Sequence, residues 1–151
     1  MLKPDRNLTQ WVFNYKAGAA ATKGGLVSAS TSASGVGANG PATADYVANP
    51  SGAFVLGVLL DDVEVLHAMM DRNHFSETVG VGDQVSIGSE GWVVTDMVYP
   101  GVTPTAGQTA YLGHSGYFTN TQTPAQAPKV GRFETSKDED GFAKISLNIP
   151  L

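Results

Sequence analysis

Residues 84–99, QVSIGSEGWVVTDMVY, decide how the fold is read. Trp92, Val93, Val94, Val98 and Tyr99 are β-branched or aromatic, the residue types that fit a pleated, half-buried surface. QVSI has the same character. Between the two runs stand Gly88, Ser89, Glu90 and Gly91, and paired glycines at that spacing are turn punctuation. The stretch SIGSEGW therefore predicts a tight hairpin, preceded by a turn at Gly82-Asp83.

The pattern continues on the C-terminal side. TPTAGQTAYLGHSGYFTNT (103–121) predicts a turn at Ala106-Gly107, a strand TAYL, a turn GHSG and a strand YFTN. TQTPAQAP is a Pro-containing linker. VGRFETSKDEDGFAKISLNI closes the chain as a hairpin across SKDEDG, with Gly141 supplying the positive φ that the turn needs. In its last strand Phe142, Lys144, Ser146 and Asn148 alternate with Ala143, Ile145, Leu147 and Ile149, which predicts one wet and one buried face. The acidic tip discourages edge-to-edge pairing.

On the N-terminal side, GAFVLGVLLDDV is the most apolar stretch and predicts a central strand, with a bend or bulge at Gly57. GLVSAS predicts a short strand. From about 28 to 45 almost every residue is Ala, Gly, Ser or Thr, too small to offset its own ordering entropy, and a long surface loop is expected. Residues 64–76 suit a strand and a helical turn equally. Residues 1–20 differ from the rest. Trp11, Phe13 and Tyr15 alternate, so three rings share one face if the segment is extended. This segment is either the domain's own first strand or an arm that packs on a neighbour. The chain is thus expected to be all-β: a compact β-barrel or β-sandwich of short antiparallel strands, with an extended N-terminal arm (1–20) and a single β-rich domain (21–151).

Composition narrows the function. Charged residues make up 15% of the 151, below the ~25% usual in soluble domains. The net charge of −5 and the scattered nine Lys and Arg lack the basic stripe of nucleic-acid binders. The absence of cysteine rules out disulfides and thiolate-bound metals. The start, MLKPDRNLTQ, has no apolar core of a signal peptide, and no apolar run approaches a membrane span.

GVGANG (35–40) has the glycine spacing of a dinucleotide loop, but Pro41 and small residues follow where a helix is required. GHSGY (113–117) ends in Tyr117 where a nucleophile elbow needs glycine, and it lies between strands, so Ser115 is not expected to be a nucleophile. His67, with Glu64 and Asp71 near, and the isolated His74 and His114 do not assemble a metal motif. DEDG (138–141) lacks the spaced ligands of a calcium loop. No catalytic, cofactor or metal residue is assigned, and no enzyme activity is expected. Trp92 and Tyr111 are expected in the core. Trp11, Tyr99 and Tyr117 belong to the aromatics able to stack on sugars.

Taken in order, LKPDRNLTQ, TKGGLV, NPSGAFVLGVLLDDV, GWVVTDMV, TPTAGQTAYLGHSGYFTNT and VGRFETSKDEDGFAKISLNIP resemble the capsid decoration (cement) proteins of tailed bacteriophages. The resemblance implies a small β-rich protein, often a homotrimer, that is made in the host cytoplasm and joins the outer surface of an icosahedral head. Its partner would be the major capsid protein, with neither nucleic acid nor membrane involved. The interface residues expected are Lys3, Pro4, Arg6, Leu8, Trp11, Phe13 and Tyr15, with the three aromatics as anchors. The alternative is a carbohydrate-binding or host-adhesion module on the virion surface.

Overall fold

A computed structural model describes residues 1–4, 6–12, 15–29, 43–65 and 78–149. Its strands are β1 (Asn7–Val12), β2 (Lys16–Ala17), β3 (Leu26–Ala29), β4 (Thr43–Asp45), β5 (Val55–Leu59), β6 (Asp62–Glu64), β7 (Thr78–Gly80), β8 (Ile87–Thr95), β9 (Thr109–Leu112), β10 (Phe118–Thr119), β11 (Lys129–Phe133) and β12 (Ala143–Asn148). A 3-10 turn at His114–Gly116 joins β9 to β10. The expected all-β class is what the chain adopts.

The main sheet has the order β10-β9-β11-β12-β8-β5-β3-β4-β2, with β1 also paired to β8. It is not closed into a barrel. β6 and β7 form a separate parallel pair.

The hairpin expected at SIGSEGW does not exist. β8 runs straight through it as the longest strand, nine residues from Ile87 to Thr95. Its register explains why. Gly88 pairs with both Val58 of β5 and Trp11 of β1, while Trp92 pairs with both Ser146 of β12 and Asn7 of β1. One edge of β8 is therefore shared end to end by β5 and β12, and β1 lines the other edge. The glycines serve this crowding. A Cβ at Gly91, where φ is +125°, would lie 2.1 Å from the Asn7 carbonyl oxygen, and one at Gly88 would lie 2.7 Å from Leu8 Cδ1. They give room for β1, which no local reading of GSEG reveals.

The expected N-terminal arm is likewise built into the sheet. Asp96 N–H donates to Met1 O, Lys3 N–H to Val94 O, Val85 N–H to Tyr15 O and Ala17 N–H to Asp83 O. With β1 between these points, the described residues of 1–17 run antiparallel to residues 83–96. Leu2 and Leu8 are buried in the main core. The plainer of the two readings, a first strand of the same domain, describes these residues.

The expected loop at about 28–45 is also trimmed at both ends. Ser28 pairs with Asp45 and Ala29 with Ala44, making β3 and β4 antiparallel neighbours. Positions 30–42 and 66–77, which hold the GVGANG motif, His67, Asp71 and His74, lie outside the described residues, as does Phe13.

Where β8 passes from β12 to β5, the sheet turns over on itself. Side chains from β3 and β5 (Leu26, Val55, Val58) join those from β9 to β12 (Leu112, Phe118, Val130, Phe133, Ile145) in one core, although these strands are far apart in the sheet order. The opposite face of β3 and β5 packs a second, smaller cluster around Val27, Leu56, Leu59, Val63 and Ile87. All five residues of β5 are buried, as expected for a central strand with cores on both faces. The closing hairpin follows the sequence reading. β12 alternates buried Ala143, Ile145 and Leu147 with less buried neighbours, and the Asp138 carboxylate accepts from Asp140 N–H (3.0 Å) and Phe142 N–H (2.8 Å) at the tip.

Candidate interaction surfaces

The expected interface residues separate by environment. Lys3 is engaged within the chain, its Nζ 3.7 Å from Asp138 Oδ2 and 4.3 Å from the centre of the Phe142 ring. Both groups are substantially exposed, so the pair contributes little to stability. Pro4 is exposed and Arg6 half-buried, and together with Leu2 and Lys23 they line a shallow surface pocket. Leu8 is a core residue and is not accessible to a partner. Trp11 is 50% exposed. Tyr15, two positions past Phe13, is half-buried against the second cluster. Residues 13 and 14, which join Trp11 to Tyr15, lie outside the described residues. The β1–β8 pairing has register shifts on both sides of Gln10, which interrupt simple alternation.

β1 pairs only with β8, so its outer edge has no strand partner among the described residues. NLTQWV carries no charge and no proline, two of the usual devices that keep an edge from pairing. This edge combines backbone groups of the kind that can extend a ladder with a half-exposed, flat apolar ring.

Trp92 and Tyr111, expected in the core, lie instead on the wet face. Val93 and Leu112 take the buried positions next to them, so strand alternation turns Trp92 and Tyr111 outward. The Trp92 ring is covered by Lys144 Nζ, 3.9 Å from its centre.

A second surface is built from the segment 45–54. Its backbone is held by the 3-10 turn. Ser115 N–H donates to Val47 O (2.8 Å), and His114 Nδ1 lies 2.7 Å from Ala48 O. Ser115 has φ +55°, a left-handed conformation uncommon outside glycine. It stands in a 3-10 turn between strands and not at a strand-to-helix elbow. Tyr99 packs edge-on to Tyr117 (6.0 Å between ring centres) and tilted to His114 (6.3 Å). Phe54 is 66% exposed, immediately before fully strand-bound Val55. Sequence reading placed Phe54 inside the apolar run; Pro50-Ser51-Gly52 was the available signal that the strand had not yet begun.

Tyr46 anchors this region from within. Its hydroxyl donates to Thr22 O and accepts from Gly25 N–H (3.0 Å). Burial pushes its phenol well above the usual tyrosine range, with Asp62 and Tyr117 adding to the rise against the Gly25 hydrogen bond. Among the described residues no group of three or more His, Asp or Glu converges as a metal site. No helix among them is long and apolar enough to cross a membrane.

The chain matches no protein-family model, and no curated protein is significantly similar to it.

Proposed function

We propose that this chain is a structural protein that decorates and stabilises the outer surface of an icosahedral phage head by bridging capsid subunits, acting as a homotrimer and without catalysis. Two things support the reading. One is the ordered series of turn-and-strand stretches that resembles cement proteins. The other, which carries it, is the Asn7–Val12 edge: uncharged, without a second strand partner among the described residues, and fixed on the body with Trp11 half-exposed.

Attachment of this kind works by area and geometry. A standard protein interface buries ~1,600 Å² in total, and its energy is concentrated in a few aromatic anchors. An edge already ordered on β8 loses little conformational freedom on docking, which is the usual cost of binding with a floppy arm. A trimer that touches several capsid subunits gains further from effective concentration, so modest single contacts give long residence. Pro4 and Arg6 remain as further contact residues. Leu8 serves the fold, and Lys3 spends its charge on Asp138.

The test is co-sedimentation of the purified protein with undecorated phage heads. Wild type should pellet with the heads, and Trp11→Ala, at an exposed position, should keep the native melting temperature while binding at least about tenfold more weakly. Failure of wild type to bind any head, or full binding by the variant, would overturn the assignment of this edge.

A further inference from the structure

The segment 45–54 encloses a groove of about 350 Å³ whose walls include Asp45, Val47, Asn49, Ser51 and Phe54. We propose that this groove is a binding site for a neutral sugar, a pyranose unit of a glycan, separate from the Asn7–Val12 edge. Its volume falls in the range of small-molecule sites.

The lining has the two halves of sugar chemistry. A pyranose presents an apolar C–H face and a rim of hydroxyls. The Phe54 ring, two-thirds exposed at 66%, offers a flat surface for the first. Asn49 and Ser51 offer the second. Asn49 Oδ1 accepts from Ser51 N–H (3.1 Å), which leaves its Nδ2 hydrogens as the donating side of that amide. Ser51 Oγ donates to Gln126 Oε1 (3.3 Å) and so turns acceptor lone pairs to any incoming hydroxyl. Asp45 Oδ2 accepts from the Thr43 hydroxyl (3.3 Å), and its Oδ1 is buried against the chain, so this side chain shapes the wall and the ligand hydroxyls fall to Asn49 and Ser51.

Charge selects among ligands. No lysine or arginine lines the groove among the described residues, and Asp45 disfavours phosphates and other anions. Two other surface pockets among the described residues lack this set. The one at Leu2, Pro4, Arg6 and Lys23 carries two cations, and the one at Asp62 and Glu64 has carboxylates but no aromatic wall. The rim is held in place before binding. Ser115 N–H and His114 Nδ1 grip the carbonyls of Val47 and Ala48 from behind, and Gly52 N–H donates to Gln126 O (3.4 Å). A single weak site of this type becomes effective when many copies face one surface.

The experiment uses the purified full chain, isotope-labelled at nitrogen, with no viral head present, so its outcome is independent of the decoration reading. Amide shifts are followed during titration with glucose, galactose and N-acetylglucosamine, with glycerol as a polyol control. Saturable shifts confined to 45–54 and its 114–117 support are expected with at least one sugar and not with glycerol. Phe54→Ala, at an exposed position, should weaken that binding about tenfold, the order of one aromatic contact, and Trp11→Ala should leave it unchanged. Absence of shifts with all three sugars, equal shifts with glycerol, or undiminished binding by Phe54→Ala would overturn the proposal.

Discussion

The two hydrophobic clusters are held together by different means. The main one contains the largest fully buried side chains, Phe118 and Phe133, and is roofed by long antiparallel pairings such as β8 with β12. The second is filled mostly by Ala and Val, including Ala17, Ala44, Val27, Val63 and Val85. Its outer strands are two or three residues long and paired in parallel, β2 with β4 and β6 with β7. A cavity of about 100 Å³ remains at its margin, walled in part by Ala19, Ala20 and Ala21. Small side chains remove less apolar area from water. Polar ties take up part of that role. Asp61 Oδ2 accepts from Ser86 N–H (2.6 Å), Asp62 Oδ1 from Lys23 N–H (2.8 Å) and Asp83 Oδ2 from Gly80 N–H (3.1 Å). Tyr46 joins Thr22 and Gly25 in the same way. The difference teaches that one chain has both an area-dominated half and a half stitched by side chain-to-backbone bonds.

Removing residues 1–12 attacks the main core most severely. It strips one edge of β8 and deletes Leu2 and Leu8, each worth about 2–5 kcal/mol on truncation. Against a total stability of about 5–15 kcal/mol, the shortened chain should lose its cooperative melting transition by circular dichroism. A truncated form that melts like wild type would mean that this segment contributes nothing to the body.

Within each cluster a single substitution sharpens the contrast. Phe133→Ala should cost about 3–5 kcal/mol in urea denaturation. Val63→Ala, beside an existing cavity, should cost only about 1–2 kcal/mol. Equal losses would erase the distinction between the clusters.

Tyr46→Phe tests the stitching. It leaves Gly25 N–H and Thr22 O without this partner, at an expected cost of about 1–2 kcal/mol at neutral pH. The alkaline behaviour has a definite sign. The folded state holds the Tyr46 phenol protonated, whereas the unfolded chain ionises it near the ordinary value of ~10. That contribution is therefore fully present below the ordinary tyrosine range and declines as pH rises through it. Ultraviolet titration of the folded protein should show one tyrosine resisting ionisation, and Tyr46→Phe should abolish that resistance.

Period-two alternation made β9, β10, β11, β12 and the closing turn readable, because there each residue's face follows from its neighbours alone. The unbroken apolar run of β5 signalled a strand covered on both sides. Trp11 and Tyr15 were legible as aromatics of one segment, but their unequal burial, Trp11 half-exposed and Tyr15 packed on the second cluster, depends on tertiary packing. Phe54, at the groove, was hidden in an apolar run that begins to be buried only at Val55.

The amino-acid sequence by itself determined the all-β class, the central position of Val55–Leu59, the Asp138–Gly141 turn and the absence of any thiol chemistry, since these depend on local conformational preference and composition. Tertiary structure alone decided that GSEG continues a strand, that Asn7–Val12 and Lys16–Ala17 belong to the sheet, and that Trp92 and Phe54 face outward. Glycines that permit a turn equally permit another backbone to come within contact distance, and only the arrival of β1 at Gly88 and Gly91 selects between the two.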